Sequence, residues 1–153
     1  MSGTPTRCAW YLAQLALVSF YESMLETYAD GYGALPVITG LAGEWIEEEN
    51  IFVHFVTETA DLGNSIIILN LGVQTHLSTS LERHAKMQAC LDDLLYSGTE
   101  AEPHVDFITS VNTIPDVGIS IQAVNLNEST ITAGTSGMFR HTFRNIDLYV
   151  RLL

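Results

Sequence analysis

The segment from Ile66 to His76, IIILNLGVQTH, constrains the fold more than any other part of the chain. Its residues alternate with a period of two, which predicts a β-strand with two different faces. Apolar side chains occupy one face, and Asn70, Gly72, Gln74 and His76 occupy the other. We therefore predict a strand that buries its apolar face: Ile67, Leu69, Leu71 and Val73.

A helix is predicted directly after this strand. Thr79 and Glu82 have the S/T-x-x-E spacing of a capping box, and Gly98 is a stop signal. Residues from Leu77 onward recur at helical spacing and predict one buried face, made of Leu77, Leu81, Ala85, Gln88, Leu91 and Leu95 and reinforced by Leu94.

A second helix is predicted near the N-terminus, from Cys8 to about Tyr28. Its first part, Cys8 to Tyr21, carries no charge, but it is too short to span a bilayer and acidic residues follow it. We therefore predict a buried helix, preceded by a flexible polar tail over residues 1–7.

Three further segments are predicted as strands. Ile51–Glu58 is β-branched or aromatic and precedes the turn-forming TADLGNS, so it is expected to pair antiparallel with Ile66–His76. Gly118–Asn127 and Phe143–Leu153 are expected to form a second hairpin across the flexible turn ESTITAGTSGMF. Residues 37–50 are predicted as a loop with one short turn of structure, and residues 105–116 as a short helix or a connector.

These elements predict a single domain over residues 1–153 with the α+β fold class. Its sheet is expected to have four mainly antiparallel strands from two hairpins, with a mixed arrangement left open. The long N-terminal helix and the central helix are expected to pack against it.

The charge balance bears on partners. A net charge of −12, from 18 acidic against 6 basic residues, disfavours nucleic-acid binding, which requires cations. The acidic surface serves solubility, or it repels DNA as the wall of a DNA conduit would. Charged residues make up only 16% of the chain, which hints at surfaces covered by partners. Half of the bases, Arg140, Arg144 and Arg151, lie close to the end of the chain and would suit head-to-tail subunit contacts.

Trp45 lies within an acidic run that includes Glu44, Glu47, Glu48 and Glu49. One interpretation is a tryptophan half-buried beneath a solvated loop. The other is an anchor at a protein interface, where tryptophan is enriched.

The histidines do not indicate a metal site. His76 and His84 are eight residues apart, which is not the i,i+4 spacing of helical metal ligands, and Glu82 and His84 point to different helix faces. His54 is predicted on the strand face opposite the core, His104 in a loop, and His141 just before the last strand. Cys8 and Cys90 lack CxxC spacing and are predicted to be free thiols.

No nucleophilic site is predicted either. The chain has no GxSxG motif, Cys90 lies within a helix far from its N-terminus, and AGTSG at residues 133–137 lacks the lysine of a phosphate loop. The acids Glu47–Glu49 and Asp92–Asp93 are interpreted as surface charge. We therefore expect no catalytic, cofactor-binding or metal-binding residues, and a role other than catalysis.

The order of these segments resembles a known family. IFVHFV and SIIILNLGVQTH, followed by LERHAKMQACLDDLL and later by NIDLYVRLL, look like the small tail-terminator and tail-completion proteins of tailed bacteriophages. The resemblance covers most of the chain from Cys8 onward and rests on pattern and order. The acid-rich loop Glu44–Asn50 and the turn ESTITAGTSG lie outside that pattern.

This resemblance implies a structural virion protein of the tail or neck, made in the host cytoplasm. It would form a homo-oligomeric ring, commonly a hexamer, that terminates the tail tube and meets the head-side connector. DNA would pass through without specific binding, and neither a membrane nor a cofactor is expected. Candidate interface residues are Trp45, Glu47, Glu48, Arg140, Arg144 and Arg151.

Two alternatives stay open. Within the structural class, the chain is a tail-tube or baseplate subunit. In a different class, it is a small ligand-binding or hydrolytic α+β domain that uses His76 or His104.

Overall fold

A computed structural model describes residues 7–28, 35–61, 63–126 and 130–153. Of the predicted tail, only Arg7 falls within these ranges, where it is exposed, and the rest lies outside the described residues. The elements in chain order are α1 (Ala9–Leu25), β1 (Val37–Leu41), β2 (Asn50–Asp61), β3 (Asn64–His76), α2 (Leu81–Leu95), α3 (Val105–Asn112), β4 (Ile119–Asn125), β5 (Ile131–Ser136) and β6 (Phe139–Leu152).

The sheet has six strands and is mixed, so the prediction of four strands from two hairpins is wrong. The strand order is β1-β2-β3-β6-β4, and β5 also pairs with β6. β1 pairs with β2 in parallel, whereas the other pairs are antiparallel. The fold class remains α+β, and the third helix, α3, is the short helix that was one of the two predictions for residues 105–116.

The two unpredicted strands lie at the edges of the sheet. β1 falls in the segment predicted as a loop, and β5 falls in the segment predicted as a flexible turn. β6 is long enough to hold both β5, along Phe139–Arg144, and β4, along Asp147–Leu152. The predicted pairing of β4 with the last strand is therefore present, but β5 comes between them in the chain, so they are not a hairpin.

The helices share one hydrophobic core with the apolar side of β3. α1 buries Ala13, Leu17 and Tyr21 completely, and its Phe20 ring meets Phe107 of α3 edge to face at 5.1 Å. The predicted buried N-terminal helix is thus present, although it ends at Leu25 rather than near Tyr28. None of the helices in the described ranges is long and apolar enough to cross a membrane. Cys8 and Cys90 are free, as predicted.

The start of α2 differs from the predicted capping box. Ser80 is the N-cap and its hydroxyl accepts from the Arg83 amide at 3.1 Å, whereas the Thr79 hydroxyl donates to Glu49 at 2.5 Å. The predicted buried face is confirmed at Gln88, Leu91 and Leu95 but is wrong over the first turns of the helix. Leu77, Leu81 and Ala85 are exposed, and the buried residues are His84, Met87, Gln88, Cys90, Leu91, Leu94 and Leu95.

This cap gives a direct test. Ser80→Ala removes the acceptor for the Arg83 amide, so the free energy of unfolding in urea should fall by about 1 kcal/mol. Glu82→Ala is the matched control, because Glu82 contacts exposed Lys86 at 3.3 Å and should cost no more than about 0.5 kcal/mol. A larger loss for Glu82→Ala than for Ser80→Ala would restore the capping-box assignment.

Candidate functional site

The connection from β1 to β2, residues 42–49, is called the crossover below. Because these strands are parallel neighbours, the chain must return along the sheet between them, and here it does so without a helix. The Glu44 carboxylate accepts from the Leu41 amide at 2.8 Å at its beginning. At its end, Glu49 accepts from the His76 amide at 3.0 Å, so the crossover reaches as far as the end of β3.

The crossover packs on the sheet face opposite the helices, through Trp45. The indole stacks on the His141 ring at a centroid distance of 3.9 Å and an interplanar angle of 12°. It also meets Phe52 edge to face at 5.2 Å and lies 5.1 Å from the His54 ring. Trp45 thus joins a β1–β2 connection to β6, across the full width of β2 and β3.

The surface beneath Trp45 consists of two polar cross-strand rows separated by an aromatic one. Asn50, Gln74 and His141 are direct partners on β2, β3 and β6, and His54 and Asn70 are partners four residues further along. The aromatic row between them is Phe52, Gly72 and Phe143. We call the set Asn50, His54, Asn70, Gln74 and His141 the polar face; each of these residues is at most 9% exposed.

The amides of the polar face hold the crossover in place. The Gln74 side-chain amide donates to the Ile46 and Glu48 carbonyls, at 2.6 Å and 2.9 Å. Asn50 donates to the same Glu48 carbonyl at 2.9 Å. In each side chain the amide nitrogen faces the crossover carbonyls. The amide oxygens, Gln74 Oε1 and Asn50 Oδ1, take no part in these bonds.

The polar face also contains buried side-chain atoms that have no hydrogen-bond partner among the described residues. Within the described ranges, five buried side-chain atoms lack a hydrogen-bond partner, and all five belong to it: Asn50 Oδ1, His54 Nδ1, Asn70 Oδ1, Gln74 Oε1 and His141 Nδ1. A buried polar group without a partner costs about 1 to 3 kcal/mol. Each of these atoms therefore favours a conformation in which it has a partner.

Both histidines of the polar face favour the neutral form. Burial lowers the pKa of His54 from 6.5 to about 4; the Glu44 carboxylate opposes this shift and His141 adds to it. Burial also lowers the pKa of His141. A glycine stands beside each ring, and at Gly134 an added Cβ would lie 2.7 Å from His141 Nε2. The ring positions are consequently fixed by the backbone of the flanking strands as well as by Trp45.

A separate polar network joins α2 to the helix-facing side of β6. His84 bridges Thr75 and Thr142 at 2.6 Å and 2.9 Å, and the Thr142 hydroxyl donates to Gln88 at 2.8 Å. Gln88 donates to Asp92, and Asp92 accepts from Arg144 at 2.8 Å and 3.0 Å. Arg144 also lies over the Tyr96 ring, 5.7 Å from its centroid. The chain of bonds is continuous and accounts for the buried polar side chains of α2.

A cavity of about 390 Å³ opens beside this network, between the start of α2 and β5. Leu77 and Leu81 form one wall, Ala133 and Thr135 another, and Arg140 lies near its floor. The Arg140 guanidinium donates to the Leu77 carbonyl at 3.1 Å. The residues that line the cavity include no carboxylate. The cavity is therefore a mainly apolar recess next to the edge strand β5.

The structure places the six candidate interface residues in different settings. Trp45 is half-buried against its own sheet, and Glu47 and Glu48 are exposed on the crossover. Arg140 and Arg144 are half-buried and engaged with Leu77 and Asp92, whereas Arg151 is exposed on β6. The structure does not bring these side chains together: Trp45 stacks on His141, whereas Arg140 bonds the Leu77 carbonyl. Arg144 bonds Asp92. An interface role for these residues stays a prediction.

The histidines of the hydrolytic alternative have separate partners. His76 bonds Ser78 at 2.8 Å, and His104 bonds the Leu95 carbonyl at 2.8 Å at the start of α3. Among the residues that the structure describes, no group of three or more His, Cys, Asp or Glu side chains is arranged to hold a metal ion. Burial, with Asp93, raises the pKa of the Cys90 thiol, which disfavours the reactive thiolate.

Sequence reasoning placed His54 opposite the core but missed the polar face as a set. The available signal was a pair of uncharged polar side chains four residues apart on each of two successive strands: Asn50 and His54, then Asn70 and Gln74. A second missed signal was the i,i+4 series His84, Gln88, Asp92 and Tyr96 on α2.

Comparison of the chain with protein-family models and with curated proteins finds no match. Its function is therefore argued from the residues and their arrangement.

Proposed function

We propose that this protein is a structural component of a tailed-phage virion that assembles with itself into a ring at the neck. There it terminates the tail tube and joins it to the head-side connector. The pattern resemblance of the two central strands, α2 and the last strand supports the virion class. The sheet edges support self-assembly, and they are the observation that carries the proposal.

β1 and β5 form edges on opposite sides of the sheet, and neither contains a charged residue or a proline. Both pair with their inner neighbour without a register shift, whereas β4, the remaining edge strand, is interrupted between Ile121 and Ala123. Natural proteins protect exposed edges with charges, prolines or bulges, because an unprotected edge pairs with another chain. Two regular, uncharged edges suit a protein whose edges are covered by its neighbours.

Opposite edges also suit a closed ring. A ring requires two different surfaces on each subunit, one of which contacts the preceding copy and the other the following copy. β1 and β5 supply such a pair, and β-strand addition between them would continue the sheet from copy to copy. The net charge of −12 would keep DNA from adhering to a ring that it passes through.

The prediction is that the purified chain forms a closed ring, of six copies if the resemblance holds. Native mass spectrometry and negative-stain microscopy measure the copy number and show the central opening. Thr132→Lys places a charge on the exposed β5 edge and should shift the distribution to monomers. Ser19→Lys, at an exposed position of α1, adds the same charge away from both edges and should leave the ring unchanged.

Two outcomes would contradict this proposal. A chain that stays monomeric at high concentration removes the ring altogether. Rings that stack spontaneously into long tubes favour the tail-tube subunit over the terminator, because a terminator must stop polymerisation.

A further inference from the structure

We propose that the crossover, residues 42–49, is a pH-sensitive cover that lies closed on the polar face while His54 and His141 are neutral. Protonation of the two histidines releases it while the rest of the sheet stays folded. This inference is independent of the assembly proposed above.

The crossover is attached by a limited set of contacts, among them the bond of Asn50 to the Glu48 carbonyl and that of the Ala42 amide to the Phe55 carbonyl. Its side-chain anchor is Trp45, stacked on His141 at 3.9 Å and in contact with Phe52 and His54. Its backbone is held by Gln74 at Ile46 and Glu48, and its final carboxylate, Glu49, accepts from the His76 amide and the Thr79 hydroxyl. Ala42, Gly43, Glu44, Ile46, Glu47 and Glu48 are exposed.

Polar atoms of the polar face have no hydrogen-bond partner while the crossover is closed. The polar face carries five such atoms, two of which are the Nδ1 atoms of the histidines in contact with Trp45. Lifting the crossover gives water access to these atoms, so part of the cost of losing the Trp45 contacts is recovered. The other strand contacts do not depend on the crossover, because β3 pairs with β2 over Asn64–Gln74 and with β6 over Asn64–His76.

Charged and titratable groups from several elements surround the His54 and His141 rings. The crossover presents Glu44 and Glu49, and Glu44 favours protonation of His54. β6 contributes Arg140 next to His141, and α2 contributes His84, whose pKa is lowered by burial, Arg140 and His141 and raised by Glu49. β3 adds only the neutral amides Asn70 and Gln74 here, and β1 and β5 carry no charge. Two protons on neighbouring rings therefore repel each other within a buried layer.

The direction of the pH effect follows from these surroundings. Burial lowers the pKa of both histidines, so the closed form binds fewer protons than an open form in which the rings meet water. The preference for closure is complete above pH 6.5 and is lost as the pH falls from 6.5 towards about 4. Acid therefore favours the open crossover.

The two tryptophans make the test specific. Trp10→Phe leaves Trp45 as the only tryptophan, and Trp45→Phe leaves Trp10, which stacks on Phe55 at 4.3 Å on the helix-covered side. Emission wavelength and acrylamide quenching are measured from about pH 8 to about pH 4, the range over which histidines titrate. We expect Trp45 to become accessible, with a several-fold rise in its quenching constant, before Trp10 or the far-ultraviolet circular dichroism changes.

The histidines are tested in the Trp10→Phe background. His54→Gln with His141→Gln removes both titrating groups, so the accessibility of Trp45 should no longer depend on pH in this range. Should that variant fail to fold, hydrogen exchange on the unaltered chain replaces it. Amides of residues 42–49 should then lose protection between pH 7 and pH 5, after correction for intrinsic rates, while β3 and β6 keep theirs.

Two results would overturn the proposal. In the first, Trp45 stays shielded down to pH 4. In the second, Trp45 and Trp10 become accessible together, which means that the crossover opens only when the whole fold does.

Discussion

Gly72→Ala should abolish stable folding of this chain. Gly72 lies in β3 between Phe52 of β2 and Phe143 of β6. A Cβ added there would lie 2.0 Å from the Thr142 carbonyl oxygen and 2.8 Å from the Phe143 Cα, both backbone atoms. Because the obstruction is backbone in the strand pair that joins the two halves of the sheet, no side-chain rearrangement relieves it. We expect a loss of about 4 kcal/mol or more, which approaches the whole stability of a small domain.

The measurement is urea unfolding followed by circular dichroism, with the fraction of soluble protein as a second readout. Gly40→Ala is the control, because Gly40 also lies in a strand and its added Cβ would meet only the edge of the His54 ring, at 3.2 Å. A ring can shift by a few tenths of an ångström, so this change should cost about 1 kcal/mol. Comparable, small losses for both variants would show that β3 and β6 are less closely packed at Gly72 than the structure has them.

Gly72 lies in β3, a strand that was correctly predicted from the sequence. The alternation in Ile66–His76 predicts β3 because one of its faces meets the helix core, and period-two burial is a local signal. The same alternation led to the expectation that Asn70, Gly72 and Gln74 face away from the core. They do, yet they are buried: Gln74 bonds the crossover at Ile46 and Glu48, and Gly72 lies between Phe52 and Phe143. Burial of that second face depends on a distant segment, which no pattern within the strand encodes.

The strands that sequence reasoning missed are those whose structure comes from a neighbour. VITGL in β1 contains Gly40 and is followed by Gly43 and an acid run, and ITAGTS in β5 has no apolar alternation and only one bulky residue, Ile131. Each is an edge strand that pairs with one long partner, so tertiary pairing decides its conformation. The parallel β1–β2 pair was harder still, because parallel neighbours usually need a longer connection that contains a helix.

The misplaced face of α2 has a different cause. A hydrophobic stripe drawn through Leu77, Leu81 and Ala85 is reasonable if polar residues stay in water. His84 is instead buried, because it finds partners on β3 and β6, and Gln88 of the predicted face is buried with bonds to Thr142 and Asp92. A polar residue with satisfied hydrogen bonds can replace an apolar one at a buried helix position, and its partner lies too far along the chain to be read from the helix.

The end of that network carries the second large effect: Asp92→Ala should lower the free energy of unfolding by about 2 to 4 kcal/mol. Arg144 bonds both carboxylate oxygens of Asp92, and the two side chains are 13% and 21% exposed. The Asp92 hydrogen bond also raises the pKa of Arg144. Removing the acid leaves a largely buried guanidinium without its counter-ion, and desolvation of that charge is the main loss.

A double-mutant cycle with Arg144→Met separates the pair from its surroundings. If the ion pair is the cause, the double variant should lose less than the sum of the single variants, by about 1 to 3 kcal/mol, because it leaves no charge stranded. Lys86→Ala breaks the exposed contact with Glu82, in which the side chains are 58% and 79% exposed, and should cost no more than about 0.5 kcal/mol. This control shows how little a surface pair contributes in the same helix.

The cycle also decides between two roles for Arg144, which the sequence suggested as an interface residue. If its role is to hold β6 to α2, Arg144→Met lowers the free energy of unfolding and leaves the copy number of the assembled protein unchanged under folding conditions. If its role is to contact a neighbouring copy, the copy number changes while isolated subunits unfold as before. Because Asp92 satisfies Arg144 within one subunit, we expect the first result.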